Sequence, residues 1–221
     1  MTPQDNRKLK VFECFKSIQG ESTYAGRLCY FIRLAGCNLR CSYCDTQKAL
    51  SFDSHTEILT PEELTQRAVS SGCNLVEITG GEPLMQLENV CVLCERLIAA
   101  GGMTVLIETN GSIDASSLPP EVIRIFDWKT PSSGESSKMN LDNYRYLRKC
   151  DQVKFVISNR TDYDFMLRKV KDFSLFRKTE NILASPVSGS MDGAELISWM
   201  LEDNFPGRLN IQLHKCFKDV L

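Results

Sequence analysis

Short apolar runs separated by amphipathic stretches set the pattern of this chain. Residues 28–34, 75–79, 103–108, 122–128, 152–158, 181–185 and 209–213 are brief, mostly apolar and rich in branched or aromatic side chains, which predicts buried strands. Between them, 84–100, 141–148, 163–172 and 193–202 place apolar residues every three or four positions, the spacing of helices with one buried side. A further helix is predicted to start at Thr60, where Thr-Pro-Glu-Glu supplies an N-cap hydroxyl, a proline in the first turn and Glu63 at the capping-box position. Strands that alternate with helices call for parallel pairing through right-handed crossovers, hence an α/β fold. A chain of 221 residues is short for a complete eight-unit barrel, so the expected architecture is a partial, open TIM-like barrel of parallel strands with outer helices. No internal repeat or linker divides residues 1–221, so one domain is expected. The serine-rich segment 130–140 is expected to cover the site or move over it.

Composition narrows the partners. Lys and Arg total 26 against 28 Asp and Glu, and a formal net charge of -2 gives no global field for a nucleic-acid backbone. No apolar run approaches the roughly 20 residues that span a bilayer, and the first ten residues are polar, so a cytoplasmic protein with no membrane partner is expected. Ten cysteines against two histidines are too dispersed for a disulfide framework and more than an ordinary core needs.

Three of them carry chemistry. Gly36-Cys37-Asn38-Leu39-Arg40-Cys41-Ser42-Tyr43-Cys44-Asp45-Thr46 sets a C-x3-C-x2-C spacing just after a buried strand. A structural zinc site wants four N or S ligands, and neither His55 nor His214 has the local spacing to be the fourth; an electron-transfer cubane also wants four cysteines. Three thiolates leave one iron of a [4Fe-4S] cluster open to a small chelating ligand. With Thr79-Gly80-Gly81-Glu82-Pro83 at the end of a later strand, the spacing resembles the radical S-adenosylmethionine (SAM) superfamily. The resemblance implies that the methionine moiety of SAM chelates the open iron and that Gly80 and Gly81 bring backbone close to it, with Glu82 accepting from its ammonium.

More of the chain resembles one family of that superfamily. Residues 15–22 (Phe-Lys-Ser-Ile-Gln-Gly-Glu-Ser), the Cys44-Asp45-Thr46 ending, Glu108-Thr109-Asn110-Gly111, residues 127–134, Val153-Lys154-Phe155-Val156-Ile157 and Gln212-Leu213-His214-Lys215 together look like the 7-carboxy-7-deazaguanine synthases, from about residue 10 to 216. That resemblance implies a carbon–nitrogen lyase that contracts 6-carboxy-5,6,7,8-tetrahydropterin to 7-carboxy-7-deazaguanine with loss of ammonia, on the route to queuosine. SAM is then regenerated, Mg2+ assists, an external flavodoxin- or ferredoxin-type donor supplies electrons, and the protein is a homodimer. By the same resemblance Cys37, Cys41 and Cys44 hold the cluster. Gly81, Asn110, Asp127, Trp128, Lys129, Ser185, Pro186, Val187 and Ser188 line the SAM site. Ile18, Gln19, Gly20, Glu21, Arg33, Thr79 and His214 contact the pterin, and Thr46 contacts Mg2+.

The side chains suit these roles. Arg33 can form a bidentate pair with a carboxylate, and Gln19 with Glu21 can read the amide and guanidine-like edge of a pterin. Mg2+ keeps waters and takes oxygens from substrate, so one hydroxyl from Thr46 is enough. Plainer readings stand beside them: a turn hydroxyl for Thr46, a structural ion pair for Arg33, a surface turn at Gln19 to Glu21, an edge residue at His214, and a left-handed turn at Asn110. Asp127-Trp128-Lys129 stands where many members have Ser-Pro-Lys, so Lys129 transfers better than Asp127. Cys91 and Cys94 fall on the apolar stripe Leu84, Leu87, Cys91, Cys94, Ile98 and are read as packing thiols rather than a second cluster. A glycyl-radical enzyme activase, which would need a groove wide enough for a protein loop, is the alternative, and a non-catalytic metal-binding module is a further one.

Overall fold

The computed structural model describes residues 7–216. Nine strands, β1 (Leu9–Ile18), β2 (Leu28–Leu34), β3 (Glu57–Leu59), β4 (Leu75–Gly80), β5 (Thr104–Thr109), β6 (Ile123–Trp128), β7 (Gln152–Ile157), β8 (Ile182–Pro186) and β9 (Arg208–Leu209), form one sheet in the order β3-β1-β2-β4-β5-β6-β7-β8-β9. From β2 to β9 every neighbouring pair is parallel, whereas β1 lies antiparallel to both β2 and β3. The helices are α1 (Pro61–Ser70), α2 (Leu87–Ala99), α3 (Leu141–Arg145), α4 (Arg160–Asp172), α5 (Gly193–Glu202) and the single turn α6 (Leu213–Cys216). The sheet begins at β3 and ends at β9 without closing, the open α/β architecture expected.

Local chemistry explains the boundaries. At α1 the Thr60 hydroxyl accepts from the Glu63 N–H (3.2 Å) and the Glu63 carboxylate accepts from the Thr60 N–H (2.7 Å), a complete capping box. In α2, Val90, Leu93, Cys94 and Leu97 are buried, and the half-buried Cys91 thiol donates to the Ser117 carbonyl (3.4 Å). Burial pushes the Cys94 thiol up, as suits a packing residue.

Two strands escape the hydrophobic pattern. In β1, Lys10, Glu13 and Lys16 interrupt the apolar positions, because most of the strand is only partly covered. β3 has three residues, too few to show a period. The strand expected at 209–213 is cut to Arg208–Leu209: the Asn210 N–H still bonds the Ala184 carbonyl (2.8 Å), but the Leu213 N–H turns to Gly20 (2.9 Å).

The open edge is laced by side chains. The Thr23 N–H donates to Gln152 Oε1 (3.0 Å) and Gln152 Nε2 returns a bond to the Thr23 hydroxyl (2.9 Å). Asn210 Oδ1 accepts from the Ser22 N–H (2.9 Å) while its Nδ2 donates to Ser185 Oγ (2.7 Å). The turn between β1 and β2 is thereby held against β7, β8 and the chain after β9, where a closed barrel would have a backbone ladder.

The two faces of the sheet bury different clusters. One packs under the helices and contains Trp128, stacked on Tyr144 with ring centroids 3.7 Å apart. The other, from Cys29, Phe31, Leu75, Leu106 and Ile125, forms an apolar plug on the opposite face. Because side chains alternate along a strand, the next residues on that face are Glu77 on β4, Glu108 on β5, Asp127 on β6 and Lys154 on β7.

Candidate active site

Above that charged layer, at the carboxyl ends of the parallel strands, lies a cleft of about 1170 Å³. Strand ends are where loops of a barrel converge on a ligand.

One wall is the loop that follows β2. Gly36, at φ 95°, turns the chain, and the Gly36 and Cys37 N–H groups donate to the Ala49 and Leu50 carbonyls (2.8 and 3.0 Å). This brings Cys37, Cys41, Cys44 and Thr46 to the cleft together. The glycine pair at the end of β4 packs against β2 and this loop: a Cβ on Gly80 would stand 2.2 Å from the Leu34 carbonyl oxygen, and one on Gly81 would stand 2.3 Å from that of Gly36. Both glycines line the cleft, and the close approach they permit is to the end of β2 at Gly80 and to the cysteine loop at Gly81.

Burial raises the Cys37 thiol and pushes the Cys41 thiol up to about 11, so each gives up a proton when it takes a metal. Among the described residues no three His, Cys, Asp or Glu side chains converge as they must on a single metal ion. Three thiols lining one cleft fit a polynuclear cluster, in which each binds a separate iron. Asn110 reaches the same wall, its Nδ2 lying 3.0 Å from Asn38 Oδ1 and 3.9 Å from Cys37 Sγ.

Several expected SAM contacts are corrected. Glu82 is wholly buried and its carboxylate is taken up by the Leu84 N–H (2.9 Å), the Thr109 hydroxyl (2.8 Å) and the Asn110 N–H (2.7 Å), so it anchors the end of β5 instead of meeting an ammonium. Burial outweighs those bonds and lifts its carboxyl to about 7. Trp128 turns its indole into the cluster under the helices, and Ser185 is 1% exposed and bonded to Asn210. Trp128, Ser185 and Pro186 are not among the residues lining the cleft, whereas Asn110, Asp127, Lys129, Val187 and Ser188 are.

Asp127, the departure from the family text, has a partner set of its own. Its Oδ2 meets Lys129 Nζ (2.9 Å) and Lys154 Nζ (3.5 Å), and these two ammonium groups hold its carboxyl below the usual range although burial opposes them. Its Oδ1 is buried with no partner among the described residues. An acceptor without a donor in a cleft wall fits a ligand that brings a hydroxyl or ammonium to it.

The other wall holds the expected pterin contacts. Ile18, Gln19, Gly20, Glu21, Arg33 and Thr79 all line the cleft. Arg33 faces Glu13 across the β1–β2 pair and its Nε donates to Glu13 Oε1 (2.8 Å), so the ion pair weighed for it exists. That contact uses the Nε of a guanidinium with five N–H donors. Glu21 accepts from Lys154 Nζ (2.9 Å) and Gln212 Nε2 (2.8 Å), which ties the chain after β9 to the cleft. His214 sits in α6, and its side chain lies outside the described residues. The Thr46 hydroxyl donates to Asp45 Oδ1 (3.0 Å), leaving its lone pairs free, and Asp45 pairs with Lys215 (2.7 Å). Segment 130–140 packs against the cysteine loop: the Ser133 carbonyl accepts from the Ser42 N–H (3.1 Å) and the Glu135 carboxylate from the Arg40 N–H (2.9 Å), so it buttresses that loop.

Sequence reasoning assigned no role to Glu77, Glu108 or Lys154. Their signal was one charge at an inward position of an otherwise apolar strand, in Leu-Val-Glu-Ile-Thr, Leu-Ile-Glu-Thr and Gln-Val-Lys-Phe. Lys154 is the hub, 5% exposed and paired with Glu21, Glu108 and Asp127.

Residues 31–127 match the Radical SAM superfamily. The chain is 36% identical over 219 residues to a 7-carboxy-7-deazaguanine synthase of Koribacter versatilis, covering 94% of this chain and 96% of that protein. It is 41% identical over 207 residues to one of Methanospirillum hungatei, covering 94% and 84%. Among solved structures it is similar to the crystal structure of QueE from Escherichia coli, with a TM-score of 0.77, 22% identity and 96% of each chain covered, which supports the fold. Full-length similarity at these identities, with the three thiols and the charged layer facing one cleft, means that the chain belongs to the 7-carboxy-7-deazaguanine synthase family of radical SAM enzymes.

Proposed function

We propose that the chain converts 6-carboxy-5,6,7,8-tetrahydropterin to 7-carboxy-7-deazaguanine and ammonia, with SAM used and regenerated. Product plus ammonia contain the atoms of the substrate, so no net oxidant is required and a recycled radical source suffices. The observation that carries this reading is the shared cleft, with three thiols on one wall and, on the other, Arg33 beside a layer of paired charges.

Cys37, Cys41 and Cys44 would hold the [4Fe-4S] cluster. Bound there with SAM, the cluster supplies a 5'-deoxyadenosyl radical able to take a hydrogen atom from the pterin. The backbone of Gly80 and Gly81, the Asn110 amide, Lys129 and the turn at Val187 and Ser188 would receive the rest of SAM, and Asp127 Oδ1 would accept from it. Arg33, pinned through its Nε by Glu13, turns its remaining donors to the substrate carboxylate. Gln19, Glu21 and Thr79 hold the ring, and Lys154 keeps three carboxylates in place around it. Thr46 would give Mg2+ one oxygen, with substrate and water providing the others. His214 would meet the ring from the C-terminal turn.

Homodimerisation and an external electron donor of flavodoxin or ferredoxin type complete the proposal. The floor of buried ion pairs favours a small carboxylated substrate over the protein loop that a glycyl-radical activase admits. Anaerobic incubation with the pterin, SAM, Mg2+ and a reductant, followed by mass analysis, tests the reading. The deazaguanine and free ammonia should appear together, and SAM cleavage without either would overturn it.

A further inference from the structure

Glu77 has no part in the chemistry above, and its position is costly. It lies on β4 opposite Phe31 of β2 and beside Leu106 of β5, both members of the apolar plug, and is 3% exposed. A lone carboxylate in such surroundings is disfavoured unless paired. Lys154 spends its contacts on Glu21, Glu108 and Asp127, and no ion pair reaches Glu77 among the described residues. The charged groups around it are Glu21 from the turn after β1, Glu108 on β5 and Lys154 on β7. Burial first, then the neighbouring Glu108 and Glu21, push its carboxyl well up against the pull of the Lys154 ammonium, and a buried carboxyl without an ion-pair partner favours its neutral form.

Its hydrogen bonds then assign its two oxygens. Gln19 Nε2 donates to Glu77 Oε2, and the Glu21 N–H donates to Gln19 Oε1 (3.0 Å), which fixes the orientation of the amide. Oε1 of Glu77 has no partner among the described residues, and Glu77 lines the cleft. A neutral carboxyl whose carbonyl-type oxygen already accepts has a hydroxyl donor left to offer. On the pterin reading of the cleft, on which this rests, we propose that Glu77 is a specificity-determining residue whose hydroxyl donates a hydrogen bond to the ring carbonyl oxygen of the pyrimidinone, while Arg33 takes the carboxylate.

The test is equilibrium binding of 6-carboxypterin, a non-reacting analogue, to the anaerobic holoenzyme with SAM, beside turnover and thermal unfolding. Glu77→Gln keeps a donor and an acceptor and should bind within roughly threefold of the parent; Glu77→Leu loses the donor and should bind roughly tenfold or more weakly. Leucine suits the plug, so Glu77→Leu should unfold at the parent's temperature or above it, which separates a lost contact from a lost fold. Affinity of the parent should fall as rising pH ionises Glu77, and that of Glu77→Gln should not. Equal weakening in both variants, or parental affinity in Glu77→Leu, would overturn the inference while leaving the reaction intact. Failure of the parent to bind the analogue and to form product would remove the pterin reading itself.

Discussion

Along one wall of the cleft, residues 37–46 carry thiols and a hydroxyl on a loop; facing them, β4 to β7 carry Glu77, Glu108, Asp127 and Lys154 on four consecutive strands. The loop wall is held by bonds from its backbone to 49–50 and to the buttress at 133–135, which leaves its three thiols lining the cleft. The strand wall is the reverse. Its backbone is consumed by the ladder, its spacing is set by strand pairing, and its Lys154 ammonium ties Glu108 and Asp127 together. A cluster that needs three thiols at different points suits the first arrangement. A flat polar ring that needs fixed charges in a water-poor floor suits the second.

The comparison can be broken from either side. The largest effect is expected on the loop wall: Cys41→Ala should abolish cluster assembly and turnover together, read as iron content and product, and retained turnover would remove the loop from the chemistry. On the strand wall, Lys154→Met leaves Glu21, Glu108 and Asp127 without their common cation. Denaturant unfolding should show a loss of about 3–5 kcal/mol, accompanied by loss of activity. An equally stable variant would mean that the layer contributes nothing to the fold.

The seam between the walls is the glycine pair. Gly81→Ala puts a Cβ 2.3 Å from the Gly36 carbonyl oxygen and 2.8 Å from that of Ala49. It should cost about 1–3 kcal/mol on unfolding and lower iron retention, because the cysteine loop must shift. Glu82, beneath the seam, makes a pH prediction. Folded, its carboxyl titrates at about 7; unfolded, at the ordinary value of 4.5, so between these the folded state binds more protons. Stability gained from this group is therefore lost as pH rises through that window and is level above it, with a slope of at most about 1.4 kcal/mol per pH unit. Unfolding of Glu82→Gln across the same range should lack that component, and an identical slope would refute it. The smallest effect is expected at Thr46, where Thr46→Ala should raise the Mg2+ needed for half-activation by roughly five- to tenfold without preventing SAM cleavage.

The two walls also differ in how far the sequence reveals them. Cys37, Cys41 and Cys44 are close in the chain, so their spacing is a local signal, and the glycine pair announces itself at the end of an apolar run. The alternation of strands and helices likewise reveals the parallel sheet. The charged layer is spread over residues 77 to 154, and only the register of β4 to β7 brings it together. Glu82 and Trp128 show the opposite error, since adjacency to a motif places a residue near the site but does not say which way its side chain turns. β1 stayed hidden because a strand covered on so few positions carries charges at several of the others.

The central claim is that three loop thiols hold a cluster with one iron left for SAM. Anaerobic reconstitution with iron and sulfide, followed by metal analysis and electron paramagnetic resonance of the reduced protein with and without SAM, tests it directly. The account predicts about four iron and four sulfide per chain and a spectrum that changes when SAM is added. One zinc per chain, or a cluster spectrum indifferent to SAM, would contradict it.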